Sequence, residues 1–231
     1  AAQGAHRALS GAGGEVVVLS EPVGPQVRVD SGIRAGSEVG SAYDPMLSKV
    51  IVWGPDRATA LTILRQALAD TAVLGVSTNL EFLQRLLVAP AVVSGVLDTE
   101  LVERDLSELV RHSEVTDDVL AAYGLVRLLA LQPSDTIADA WQFPSGWRVG
   151  ASRPLTLRPE VHGTPVDLRI WGSPDAAEVA VGDGPTEPAS ARIVGQHRVS
   201  IHHAGTTQTW SYAIASECVW LHRDGATWTF P

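Results

Sequence analysis

At 231 residues, 45% hydrophobic and 19% charged, the chain can form one large domain or two small ones, each with its own core. A formal charge of −9 excludes nucleic acid and an anionic membrane surface as expected partners. No run reaches the ~18 apolar residues of a membrane span, and one cysteine, Cys218, excludes a disulfide framework, so a cytoplasmic protein is expected.

Residues 1–14 are rich in Ala and Gly and lack an apolar h-region, so they read as a flexible lead-in and not a signal peptide. Two β-like runs follow, Glu15 to Leu19 and Gln26 to Asp30, separated by Pro22, Gly24 and Pro25. A third, Leu47 to Trp53, lies between Pro45 and Gly54-Pro55. The period then changes: Ala58, Leu61, Leu64 and Leu68 predict an amphipathic helix from Asp56 to about Asp70. Thr78 and Glu81 have capping-box spacing before a second helix with Leu80, Leu83, Leu86 and Leu87 inward, bounded by Pro90. A third helix is expected from about Glu100 to Val110.

Thr116, followed by Asp117 and Asp118, marks the start of a different helix. From Val119 to Leu131 only Gly124 and Arg127 are neither apolar nor aromatic, so this helix has no polar face and must be enclosed. Pro133 ends it. After Gly146 helical periodicity gives way to short β-type runs from Leu155 to Phe230, separated by His162-Gly163, Ala204-Gly205 and Asp224-Gly225. Eight or nine strands are available, enough for an antiparallel β-barrel around the apolar helix. Gly182 to Pro188 reads as the most mobile loop.

Val27-Arg28-Val29-Asp30-Ser31-Gly32, Tyr43-Asp44-Pro45-Met46-Leu47-Ser48-Lys49, Gly75-Val76-Ser77-Thr78-Asn79-Leu80-Glu81-Phe82-Leu83 and Leu97-Asp98-Thr99 occur in that order. Their content and spacing resemble the C-terminal lobe of biotin carboxylases. Trp141 and Gly146-Trp147-Arg148, after an apolar helix, are similar to the mediating (BT) domain in α subunits of propionyl-CoA and methylcrotonyl-CoA carboxylases. The resemblance implies an α+β chain: a lead-in over 1–14, part of a biotin carboxylase lobe over 15–110, and a BT-like barrel over 111–231. It implies a parent reaction in which ATP, bicarbonate and Mg or Mn carboxylate biotin, and a carboxyltransferase β subunit passes the carboxyl group to an acyl-CoA.

The family's ATP-grasp body precedes the matching region, and its biotinyl domain, with a Met-Lys-Met acceptor, follows it. Neither is seen here, and Lys49, the only lysine, lies between Ser48 and Val50. The chain alone is therefore expected to be inactive and to bind no cofactor. Its expected role is scaffolding in a hetero-oligomer with the β subunit and the other α-subunit domains.

The resemblance assigns a catalytic role to Arg28, as the guanidinium that stabilises the biotin enolate; without it, an arginine in a strand is a solvated surface residue. Tyr43, Asp44 and Lys49 read as structural, and Thr78 and Asn79 as a helix cap. Trp141, Trp147 and Arg148 are the expected interface residues, since Trp and Arg favour interface centres; Trp171 fits an interface or a core. Adjacent on a strand, His202 and His203 point to opposite faces and cannot chelate one metal. The alternative is a non-enzymatic barrel that binds a small ligand or serves as an adaptor, and an interior filled by residues 119–131 would leave no room for the ligand.

Overall fold

The computed structural model describes residues 13–40, 46–133, 153–215 and 217–231. The chain divides into two compact units, residues 1–113 with His222–Thr227, and residues 114–221 with 228–231.

In the first unit short strands pair in antiparallel twos: β1 (Gly14–Glu15) with β4 (Glu38–Val39), β2 (Val18–Ser20) with β6 (Ala72–Leu74), and β3 (Val27–Ser31) with β5 (Ser48–Val52). Strand β6 is an apolar run too short to stand out beside the helix before it. Val16, Val73 and Val76 form a buried cluster, against which Leu19, Ile33, Val39 and Leu47 pack. Helix α1 (Arg57–Asp70) starts where expected, and Asp56 caps it by accepting from the Thr59 N–H at 2.8 Å and the Thr59 hydroxyl at 3.0 Å. The helix packs on β5 and on α2 (Leu80–Leu86), with Leu61, Leu64 and Leu68 of the expected stripe covered and Ala58 exposed.

Three expectations in this unit change. The Thr78/Glu81 capping box does not form; Asn79 holds the cap position without a side-chain bond, and Glu81 instead accepts from the Ser113 N–H at 3.2 Å. Pro90 does not merely bound α2 but opens the short helix α3 (Pro90–Ser94), where its missing N–H costs nothing. The helix expected over 100–110 is two single turns, α4 (Leu101–Arg104) and α5 (Leu106–Leu109), broken at Asp105 with φ −101° and ψ 12°.

The second unit is built on α6 (Asp117–Ala130), with Val119 through Val126 and Leu128 all buried. Against it lies one face of an eight-stranded antiparallel sheet: β7 (Leu155–Leu157), β10 (Leu168–Ser173), β11 (Ala176–Val181), β12 (Thr186–Gly195), β13 (Arg198–His203), β14 (Thr206–Ala215), β15 (Cys218–Arg223) and β16 (Ala226–Phe230). Strands β8 (Glu160–Val161) and β9 (Thr164–Pro165) form a separate two-stranded ribbon. The large sheet is a curled half-barrel: β7 and β16 end the strand order and do not pair with each other. Leu168, Ile170, Val179, Val199, Ile201 and Trp210 are buried on its inner face, and α6 packs on β10 to β13.

Gly124 allows this approach. A Cβ there would sit 2.7 Å from Leu168 Cδ2, so the one residue that weakens the helix internally is the one that lets the sheet close on it. The loop expected over 182–188 is shorter. Thr186, Glu187 and Pro188 already pair with β11, which leaves 182–185 as the turn.

Candidate functional site

The β3–β5 ribbon carries the residues that the sequence motifs single out. Its inner face is Val27, Val29, Val50 and Val52, all half-buried; its outer face is Arg28, Asp30, Lys49 and Ile51, all exposed. The register places Asp30 opposite Lys49 and Arg28 opposite Ile51. Arg28 donates through Nε to Asp30 Oδ1 at 2.8 Å and through Nη2 to Asp30 Oδ2 at 3.0 Å, a fork-to-fork pair at the surface. The hydrogen bonds from Arg28 hold the Asp30 carboxyl below its ordinary range, and the charges of Arg28 and Lys49 add to this. Asp30 in turn raises Arg28.

The side chain of Arg28 is 73% exposed. Two of the five guanidinium N–H donors are engaged by Asp30, and to stabilise an oxyanion the group must share or leave that carboxylate. Tyr43, Asp44, Trp141, Trp147 and Arg148 lie outside the described residues. Trp171 is half-buried on β10, opposite Glu178.

His202 and His203 point to opposite faces, as strand alternation requires. His202 Nδ1 lies 3.0 Å from the Thr207 hydroxyl on the outer face. His203 is buried, with Nδ1 2.7 Å from Asp118 Oδ1 in the first turn of α6. This pair borders a cavity of about 320 Å³ lined also by Asp117, Val179 and Glu187, and it ties the start of the helix to β13. Sequence reasoning missed the pair because its members lie 85 residues apart with no shared motif. Among the described residues, no group of three or more His, Cys, Asp or Glu is placed to hold a metal ion.

His222, also buried, accepts through Nδ1 from the Thr227 hydroxyl at 3.1 Å and donates through Nε2 to the Ala69 carbonyl at 3.4 Å. Burial pushes its pKa below the ordinary histidine range, against smaller opposing contributions from the Ala69 bond and the Asp224 and Glu81 carboxylates. The unfolded chain therefore binds the proton first, and this contribution to stability is lost as pH falls below about 6.5. Urea denaturation at pH 7.5 and 5.0 should show a larger acid loss for the wild-type chain than for His222→Gln. Equal losses would mean that His222 is not held neutral.

A family model described as the biotin carboxylase C-terminal domain matches residues 2–104, starting inside the stretch read as a lead-in. A second, described as the methylcrotonyl-CoA carboxylase α-subunit BT domain, matches residues 116–231. The chain is 37% identical over 142 residues to the mitochondrial methylcrotonoyl-CoA carboxylase subunit alpha of Dictyostelium discoideum, covering 59% of this chain and 20% of that protein. It is 29% identical over 218 residues to the mitochondrial propionyl-CoA carboxylase alpha chain of Mus musculus, covering 92% of this chain and 27% of that protein. A solved biotin carboxylase domain of a single-chain bacterial carboxylase superposes with a TM-score of 0.42 at 40% identity, covering 43% of this chain and 24% of that one. The chain thus spans about a fifth to a quarter of the length of these relatives.

Proposed function

Because the chain belongs to the family of biotin-dependent acyl-CoA carboxylase α subunits, we propose that it completes a biotin carboxylase lobe and docks the α subunit on a carboxyltransferase β subunit. The observation that carries this reading is the second unit: a half-barrel whose inner face is filled by α6, in the stretch that matches the BT domain. A sheet occupied by its own helix has no lumen for a small ligand, which disfavours the free-standing ligand-binding barrel.

The parent reaction we assign is carboxylation of biotin by ATP and bicarbonate, followed by carboxyl transfer to an acyl-CoA. Lys49, the only lysine, lies mid-ribbon opposite Asp30 and so does not fit a biotin acceptor presented on a turn. The part we assign to this chain is positioning and docking, with Arg28 as the one candidate contact to biotin. Domain limits near residue 110, with 15–110 and 111–231 as the two working parts, belong to the same proposal.

We assign to Arg28 the contact with the biotin enolate; the resemblance of Val27 to Gly32 to the family's motif supports this reading. The Asp30 pair supports a second reading, a charge-compensated surface contact. Arg28→Ala in a complete α subunit separates them: loss of biotin-dependent phosphate release by about 100-fold or more fits an enolate contact, and near-unchanged turnover fits the surface contact.

The docking role is tested by mixing the 231-residue chain with a methylcrotonyl-CoA-type carboxyltransferase β subunit. Binding at tens of micromolar is expected, weakened by Trp141→Ala and Arg148→Ala in variants that keep the wild-type circular dichroism. No binding by the wild-type chain, where a complete α subunit binds, would end the docking role. If both variants bind as well as wild type, the contact lies elsewhere on the domain.

A further inference from the structure

The end of β12 carries a surface that the docking reading does not call on. Strand β12 pairs with β13 in regular register from Ala189↔His203 to Ile193↔Val199, then slips so that Gly195 meets Arg198. Before the slip alternation holds, with Ala189 and Ala191 buried and Ser190 and Arg192 on the outer face. At the slip it fails. Ile193 and Val194 are consecutive, yet they are 55% and 53% exposed, although regular pleating would turn one of them inward. Ile193 still pairs with the buried Val199 and so ends the inner face, while Val194 is the residue that the bulge inserts and leaves exposed beside it in the chain.

Arginines flank the pair. Arg192 and Arg198 are exposed, and no carboxylate among the described residues pairs with either. The register continues the outer face across three strands: Arg192, Ser200 and Thr209 in one row, Ser190, His202 and Thr207 in the next, with Arg198 beside Ser211. This face holds two free guanidinium groups, one histidine and hydroxyls, with no carboxylate in these rows, in a chain whose net charge is −9.

We propose that this face docks an acidic protein segment, with an apolar residue seated on Val194 at the end of the strand and carboxylates paired with Arg192 and Arg198. Charge complementarity selects an anionic partner, and arginine around an exposed apolar centre is the composition of protein interfaces. A sheet face suits an extended contact, whereas a small ligand needs a concave site. Nucleic acid would bring many phosphates against a chain that is acidic overall. The proposal does not rest on the carboxyltransferase contact.

The test uses the 231-residue chain and a soluble 15-residue peptide in which leucines recur every fourth position among glutamates, with a glutamine-for-glutamate peptide as control. Amide shifts on titration should cluster over residues 190–202, and binding should weaken in high salt. Arg192→Glu with Arg198→Glu should weaken it about tenfold or more, and Val194→Ser should also weaken it with the circular dichroism unchanged. If the charge reversal unfolds the chain, Arg192→Gln with Arg198→Gln carries the same test.

Equal binding of the glutamine peptide, unchanged affinity of the arginine variants, or shifts centred elsewhere would overturn the proposal. So would tighter binding to phosphatidylglycerol vesicles than to the peptide. Self-association abolished by Val194→Ser would assign the face to a second copy of the chain and overturn it as well.

Discussion

Leu125→Ala is expected to destabilise the second unit by about 2–5 kcal/mol, with a comparable loss for Leu128→Ala. Leu125 is fully buried and Leu128 nearly so. Both lie on a helix that β10, β11, β12 and β13 cover on one side, and on which Phe230 packs against Tyr123 in a tilted ring pair with centroids 4.8 Å apart. A cavity left there has few ways to collapse. The facing strands are fixed by their ladder hydrogen bonds, and the Leu168 and Ile170 side chains already pack where a Cβ on Gly124 would sit. Urea denaturation followed by tryptophan fluorescence reads this unit directly, because Trp210 and Trp228 both belong to it, with rings 5.6 Å apart. Losses below about 0.5 kcal/mol at both leucines would mean that α6 lies at the surface.

Gly75→Ala should disrupt the first unit by about 2–6 kcal/mol, combining strain at a left-handed backbone position with overpacking. Gly75 has φ +102°. A Cβ there would overlap the Glu15 carbonyl oxygen and come within 2.8 Å of the Val17 nitrogen. Both neighbours are backbone, so no side-chain rotation relieves the clash. The Val17 N–H also donates to the Leu74 carbonyl at 2.8 Å, beside the β2–β6 pairing. Gly36→Ala is the control: φ is +83° but no atom lies within 4 Å of the added Cβ, so only the backbone strain remains. Hydrogen exchange over residues 14–20 and 72–76 should rise sharply for Gly75→Ala and little for Gly36→Ala. Equal protection in the two variants would show that the close approach is not what requires glycine at the head of the Gly75-to-Leu83 motif.

Much of this was legible in the residues alone. Asp56 and the Ala58/Leu61/Leu64/Leu68 spacing located α1, and the run after Asp118, apolar but for Gly124 and Arg127, implied a helix with no free face, because periodicity is a property of local sequence. The motif residues by themselves point to the family. What depends on neighbours distant in the chain was not legible. Glu81 has the spacing of a capping box, but Ser113 supplies a donor at 3.2 Å and takes the carboxylate away. Arg28 reads as a free guanidinium until the strand conformation brings Asp30 to its side. The His203–Asp118 contact, the slip at Ile193 and the open edges of the sheet are set by strand register, and register is decided by which faces can be buried together once the chain has packed.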